Sequence, residues 1–138
     1  MAEAILNSLG KGRFAAFSAG SRPAGKVNPA ATSRLESAGH PTGGLHSKSW
    51  DEFSSATAPR MDIVITVCDN AAKESCPLWH GAPVSVHWGM PDPAAVNGTD
   101  ADVRRAFDDA YRVLLHRMRL LVALPVATLD RTALQKSL

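Results

Sequence analysis

Cysteine is scarce in this chain. There are two, Cys68 and Cys76, and a pair so close in sequence reads as catalytic, redox-active or metal-binding rather than as a structural staple. Long apolar runs are missing as well. None reaches the roughly 18 residues of a membrane span, and residues 1–20 lack a basic region followed by a continuous apolar stretch, so no membrane association is expected and the cytoplasm is the expected compartment. Charge of one sign is not in excess: the formal net charge is +2. The basic residues between Arg112 and Arg119 fit a solvated helix face, and no nucleic-acid partner is implied. Neither internal repeats nor low-complexity segments are found.

What is present is ordinary for a globular protein: 138 residues, 45% hydrophobic and 20% charged, with nine prolines and ten glycines. That length suits one domain with one hydrophobic core, spanning residues 1–138.

The segment from Met1 to Leu9 is rich in helix formers and ends at Gly10, which predicts a short helix with no N-cap residue ahead of it. Phe14-Ala-Ala-Phe-Ser18 is a short apolar stretch closed by turn residues, which predicts a strand entering a loop. Asn28-Pro29 opens a helix to about Ala38, with proline where its missing N–H costs little, and Gly39 ends it. Ser49-Trp-Asp-Glu52 has the spacing of a capping box and predicts a short helix toward Phe53. Met61-Asp-Ile-Val-Ile-Thr-Val67 is the clearest strand, a β-branched run of the kind buried on both faces of a parallel sheet. Val84-Ser-Val-His-Trp88 alternates and predicts a third strand. From Asp100 to about Leu124, Val103, Phe107, Ala110, Leu114, Met118 and Leu121 mark one face of a long amphipathic helix capped by Thr99 or Asp100. Strands alternating with helices give an α/β domain with a mostly parallel sheet.

In such sheets the ligand site lies beyond the carboxyl ends of the strands. Three polar clusters are expected there: Ser18 to Ser21, Cys68 to Cys76, and His87 to Pro93. A thiol eight positions along a loop from another can reach it to form a disulfide if the loop folds back, which is a redox reading. The plain alternative is that both cysteines are small buried hydrophobes. Zinc is a further reading, since Cys68, Cys76, His80 and His87 have suitable chemistry, but they lack the close ligand pairs of a structural site. Asp92 stands between Pro91 and Pro93, so its backbone is stiff and its carboxyl can be held over a leaving group as a general acid. An aspartate in a proline-rich turn is the bland alternative. The five histidines are scattered and receive no catalytic role, and Trp50, Trp79 and Trp88 are expected to pack the flanks of the crevice.

Several segments together carry a resemblance: Met1-Ala-Glu-Ala, Phe17-Ser-Ala-Gly20, Asn28-Pro-x-Ala31, Ser47-Lys-Ser-Trp-Asp-Glu-Phe53, Thr66-Val-Cys-Asp-Asn-Ala-Ala72, Cys76-Pro77 and His87-Trp-Gly-x-x-Asp-Pro93. In order along nearly the whole chain, they resemble the thiol-dependent arsenate reductases built on the low-molecular-weight phosphotyrosine phosphatase fold. The resemblance implies a flavodoxin-like three-layer sandwich with strand order 2-1-3-4. It also implies reduction of arsenate to arsenite through three thiols. A first cysteine in a Cys-x5-Arg-Ser loop attacks arsenate, an aspartate protonates the leaving oxygen, a second cysteine attacks the first and releases arsenite, and a third resolves the disulfide. On this chain Cys68 is expected to be the second thiol, Cys76 the third and Asp92 the acid. No bound cofactor is implied. The electrons come from an external reductant, thioredoxin or glutathione with glutaredoxin, and these proteins are the expected partners beside the arsenate and arsenite oxyanions. Tyrosine phosphatases of this fold generally lack the cysteine pair, so Cys68 and Cys76 favour arsenate. A phosphatase-like protein and a non-catalytic protein binding arsenite through its dithiol loop stay as alternatives.

In the family the Cys-x5-Arg loop and its strand, the first of the sheet, precede the Met-Ala-Glu-Ala segment. The 138 residues contain no Cys-x5-Arg. The expectation is therefore a domain lacking its first strand and nucleophile, inactive toward arsenate by itself. With an interior strand missing, it would need a rearranged sheet, a partner strand or a swapped homodimer.

Overall fold

Where capping residues and helix formers coincide, helices form. The computed structural model describes residues 1–68, 73 and 77–138. Within it the chain divides into two compact units, the first comprising Met1–Ser18, Ala24–Ser47 and Asp92–Ala123, the second Ala19–Pro23, Lys48–Pro91 and Leu124–Leu138.

The first unit is helical. Helix α1 spans Ala2–Leu9 and ends at Gly10. Helix α2 spans Pro29–Ser37, and the Asn28 side chain accepts a hydrogen bond from the Ala30 N–H, the N-cap and proline arrangement expected from the sequence. Helix α3 spans Asp100–Ala123. Thr99 starts it: the Asp102 N–H donates to Thr99 Oγ1 at 3.2 Å while Asp102 Oδ2 accepts from the Thr99 N–H at 3.0 Å. This reciprocal pair satisfies donors that a helix start leaves orphaned. The Thr99 backbone N–H, then its hydroxyl, hold the Asp102 carboxyl below its ordinary pKa.

One stripe of α3 carries the packing. Phe107, Ala110, Tyr111, Leu114, Met118 and Leu121 are buried, at the 3.6-residue spacing read from the sequence. Tyr111 joins the stripe, and Val103, near the N-terminal end, is half-buried. Helices α1 and α2 both pack on α3.

Polar contacts lace the three helices together. Arg34 Nε lies 2.6 Å from Asp108 Oδ1, and its guanidinium sits 4.1 Å from the centre of the Tyr111 ring, a cation–π geometry. His40 bridges α1 and α3, with Nδ1 2.9 Å from Ser8 Oγ and Nε2 2.9 Å from the Tyr111 hydroxyl. Burial first, and the Arg34 charge second, push the His40 pKa below the ordinary imidazole value. The unfolded chain therefore takes up this proton before the folded one does. Stability from this group is complete above about pH 6.5 and falls as pH drops through that value. Urea unfolding at pH 7.5 and 5.5 is expected to show a larger loss for the native sequence than for His40→Gln, and equal losses would show that His40 does not couple to folding.

Phe14–Ser18 forms no strand, contrary to expectation. Its middle residue is satisfied by a side chain instead: the Ala16 N–H donates to Asn7 Oδ1 at 2.8 Å and Asn7 Nδ2 donates to the Ala16 carbonyl at 3.0 Å. The carboxamide occupies both ladder groups of Ala16, as a neighbouring strand would.

The second unit holds the sheet. Strand β1 spans Ile63–Thr66 and strand β2 spans Val84–His87. They pair in parallel, Ile63 opposite Val84 and Thr66 opposite His87. Among the described residues the sheet has these two strands. Its β1 residues are all half-buried rather than buried on both faces, because a narrow sheet covers each strand less completely than the interior of a wide one does. In β2 the alternation holds, with Val84 buried and Ser85 and His87 exposed. Gly20 forms an isolated parallel bridge with Ser49. Ser49 then caps a 3-10 turn, Trp50–Phe53, through the Asp51 N–H, one residue earlier than the expected capping box would bind.

Between the strands, Gly81 has φ +99°, and a Cβ there would lie 2.9 Å from the Met61 carbonyl oxygen. Only glycine fits that turn without strain. A final helix, α4, spans Arg131–Ser137 with Asp130 as its cap and packs on β2. No described helix is long and apolar enough to cross a membrane.

Candidate active site

A parallel pair sends both strand ends the same way, so the segments leaving β1 and β2 become neighbours. Cys68 stands two residues beyond β1 and is half-buried. The segment after β2 runs beside it: the Trp88 N–H donates to the Thr66 carbonyl at 2.8 Å and the Met90 N–H to the Val67 carbonyl at 3.1 Å. The pairing of β1 and β2 thus continues to the residue adjoining Cys68.

Two side chains steady this end of the sheet. Thr66 Oγ1 and His87 Nδ1 lie 2.8 Å apart across the strands. Trp88 is buried, and its indole N–H donates to the Leu138 carbonyl at 3.0 Å. Trp50 and Trp79, also in this unit, meet edge to face with ring centres 6.3 Å apart, a packing role in keeping with the sequence reading.

Asp92 comes after the same segment but belongs to the first unit. It caps a 3-10 turn, Pro93–Ala95, its Oδ1 accepting from the Ala94 N–H at 2.9 Å. The turn packs on α3, and Asp92 itself is exposed. A carboxylate fixed by its own turn, between two prolines, has little rotamer freedom left.

Of the three polar clusters expected to converge, the structure gathers Cys68 and the Trp88–Met90 segment. Ser18 bonds Glu3 within the first unit, whereas Gly20 is engaged with Lys48 and Trp50. Cys76 lies outside the described residues. Sequence reading missed the tie from Trp88 to the end of the chain. The local signal for α4 was available, an aspartate ahead of a run of helix formers, but nothing local indicates a contact 50 residues away.

The model of the family described as low molecular weight phosphotyrosine protein phosphatase matches residues 1–133. An arsenate reductase from Halalkalibacterium halodurans is 33% identical over 86 residues, which are 62% of this chain and 58% of that protein. The aligned region is thus under two thirds of that relative's length. The parallel β1–β2 pair, with its cysteine beyond the strand end, accords with the α/β, flavodoxin-like architecture of the matching family. The chain belongs to the low molecular weight phosphotyrosine protein phosphatase family.

Proposed function

We propose that this protein reduces arsenate to arsenite, with Cys68 and Cys76 as the second and third thiols of a relay and Asp92 as the general acid. The observation that carries the reading is Cys68 at the carboxyl end of β1, beside the segment leading to Asp92. The similarity to an arsenate reductase supports it.

Each step balances in atoms and electrons. A cysteine thiolate in a Cys-x5-Arg loop displaces an oxygen from arsenate, and Asp92 supplies a proton so that this oxygen leaves as water. The Cys68 thiolate then attacks that cysteine's sulfur. The S–As bond breaks, its electron pair stays on arsenic, and arsenite departs while a disulfide forms. Cys76 attacks Cys68 and regenerates the first thiol. An external thiol reductant, the dithiol of thioredoxin or two molecules of glutathione with glutaredoxin, reduces the Cys68–Cys76 disulfide with two electrons, in a reducing, cytoplasmic setting.

The 138 residues contain no Cys-x5-Arg, and the proposal assigns them the later steps of the relay. The test is coupled NADPH oxidation with arsenate as oxidant. The 138-residue chain is expected to show no turnover, and a protein in which a strand and a Cys-x5-Arg-Ser loop precede Met1 is expected to turn over. The family's phosphatase description favours a second reading. If the extended protein hydrolyses an aryl phosphate but consumes no reductant with arsenate, the phosphatase reading stands and the arsenate proposal fails.

A further inference from the structure

The last rungs between β1 and β2 are not evenly spaced. The Val84 N–H donates to the Asp62 carbonyl at 2.9 Å and the Trp88 N–H to the Thr66 carbonyl at 2.8 Å, four residues on in each chain. The next donor, Met90, stands two residues past Trp88, yet it takes the carbonyl of Val67, one residue past Thr66, at 3.1 Å. A parallel ladder in strict register would carry Met90 to the Cys68 carbonyl. The step instead places one extra residue on the β2 side, in the manner of a bulge, a feature that re-aims side chains beside active sites. Cys68 is the first residue beyond this step and is half-buried.

Trp88 holds the step from the other side. It is buried, and it donates twice: its main chain to Thr66 and its indole N–H to the Leu138 carbonyl at 3.0 Å. That acceptor is itself fixed. The Leu138 N–H donates to the Leu134 carbonyl at 3.2 Å, at the end of α4. Helix α4 is tied to β2 in turn, Arg131 donating to the Pro83 carbonyl at 3.0 Å and Gln135 to the Ser85 carbonyl at 2.8 Å. The indole therefore meets a carbonyl anchored to its own strand, and the bond fixes the segment that carries Met90.

We propose that Trp88 is a positioning residue for Cys68, and that its indole bond to Leu138 sets the point at which the chain bearing Cys68 leaves the sheet. The proposal rests on the reading of Cys68 as a relay thiol. Such a thiol meets two sulfurs in turn, so its reach depends on where its backbone departs from the last rung. Breaking the bond lets the Trp88–Met90 segment open locally, and releases Val67 with it, while the rest of the sheet stays paired.

The test needs no arsenate. In the full chain carrying Cys76→Ser, Cys68 is the one thiol. Its alkylation by iodoacetamide is followed below the unfolding transition, where the rate does not vary with urea. Trp88→Phe keeps an aromatic ring in place but removes the donor, and deletion of Leu138 removes the acceptor. Each is expected to raise the alkylation rate about two- to tenfold, the factor that one net neutral hydrogen bond corresponds to. The two together are expected to do no more than either alone. Hydrogen exchange at the Met90 amide is expected to quicken in parallel, while that at Val84 stays unchanged. Gln135→Ala, which takes a bond from Ser85 and none from Trp88, is expected to leave the rate as it was. An unchanged rate in either single variant, additive effects in the pair, or an equal rise with Gln135→Ala overturns the proposal. The relay itself is decided separately, by whether an extended protein carrying the Cys-x5-Arg loop consumes reductant with arsenate.

Discussion

Replacing Cys68 by serine, in a protein where a Cys-x5-Arg-Ser loop precedes this chain, is expected to take arsenate turnover below detection while leaving hydrolysis of an aryl phosphate nearly intact. The two reactions part at the step assigned to Cys68. Phosphate ester hydrolysis needs a nucleophile, an oxyanion cradle and a proton donor, and water completes it. Arsenate reduction needs a second thiolate to accept the first sulfur as a disulfide partner, and a serine hydroxyl cannot form that bond. Asp92→Asn is expected to act differently, slowing both reactions by roughly 10²–10⁴-fold, the range for loss of a positioned general acid. Parallel kinetics on the two substrates separate the roles. A Cys68→Ser protein that still reduces arsenate catalytically removes Cys68 from the relay, and an Asp92→Asn protein with unimpaired phosphatase activity leaves Asp92 with the turn-capping role its bond to the Ala94 N–H already provides.

The helices around α3 were legible because their signals are local. Asn28 and Pro29 mark one start, Thr99 and Asp102 another, and the stripe from Phe107 to Leu121 announces its buried face by spacing alone. Phe14–Ser18 has strand composition, yet a strand needs a ladder partner that composition does not encode. Here the Asn7 carboxamide takes that place for Ala16. Helix α4 carries a local start signal in Asp130, but seven residues with one buried side chain leave no periodicity to support it. In the site, residue types at motif spacing pointed to Cys68, Cys76 and Asp92. The pairing of Val67 with Met90, and of Trp88 with Leu138, depends on chain segments meeting in space. Those meetings decide which side chains the sheet end brings to Cys68.

Leu35→Ala is expected to be among the most damaging single truncations in the helical unit, costing about 2–5 kcal/mol. The side chain is 0% exposed, on a helix that packs against α3, so removing it both forfeits burial and opens a cavity. The backbone is spared: the Leu35 carbonyl accepts from the Ala38 N–H at 3.1 Å and the His40 N–H at 3.0 Å, bonds that alanine can keep. Alanine also gains slightly in helix propensity. The measured loss therefore reports packing, nearly free of backbone effects. Against a total stability of roughly 5–15 kcal/mol for a domain, a loss of that size lowers the melting temperature by roughly 10 °C or more. Leu120→Ala supplies the contrast, since that side chain is 57% exposed on α3 and its truncation is expected to change stability by less than about 0.5 kcal/mol. Urea melts of the two variants decide the matter: similar midpoints would mean that Leu35 is not part of the packed core between α2 and α3.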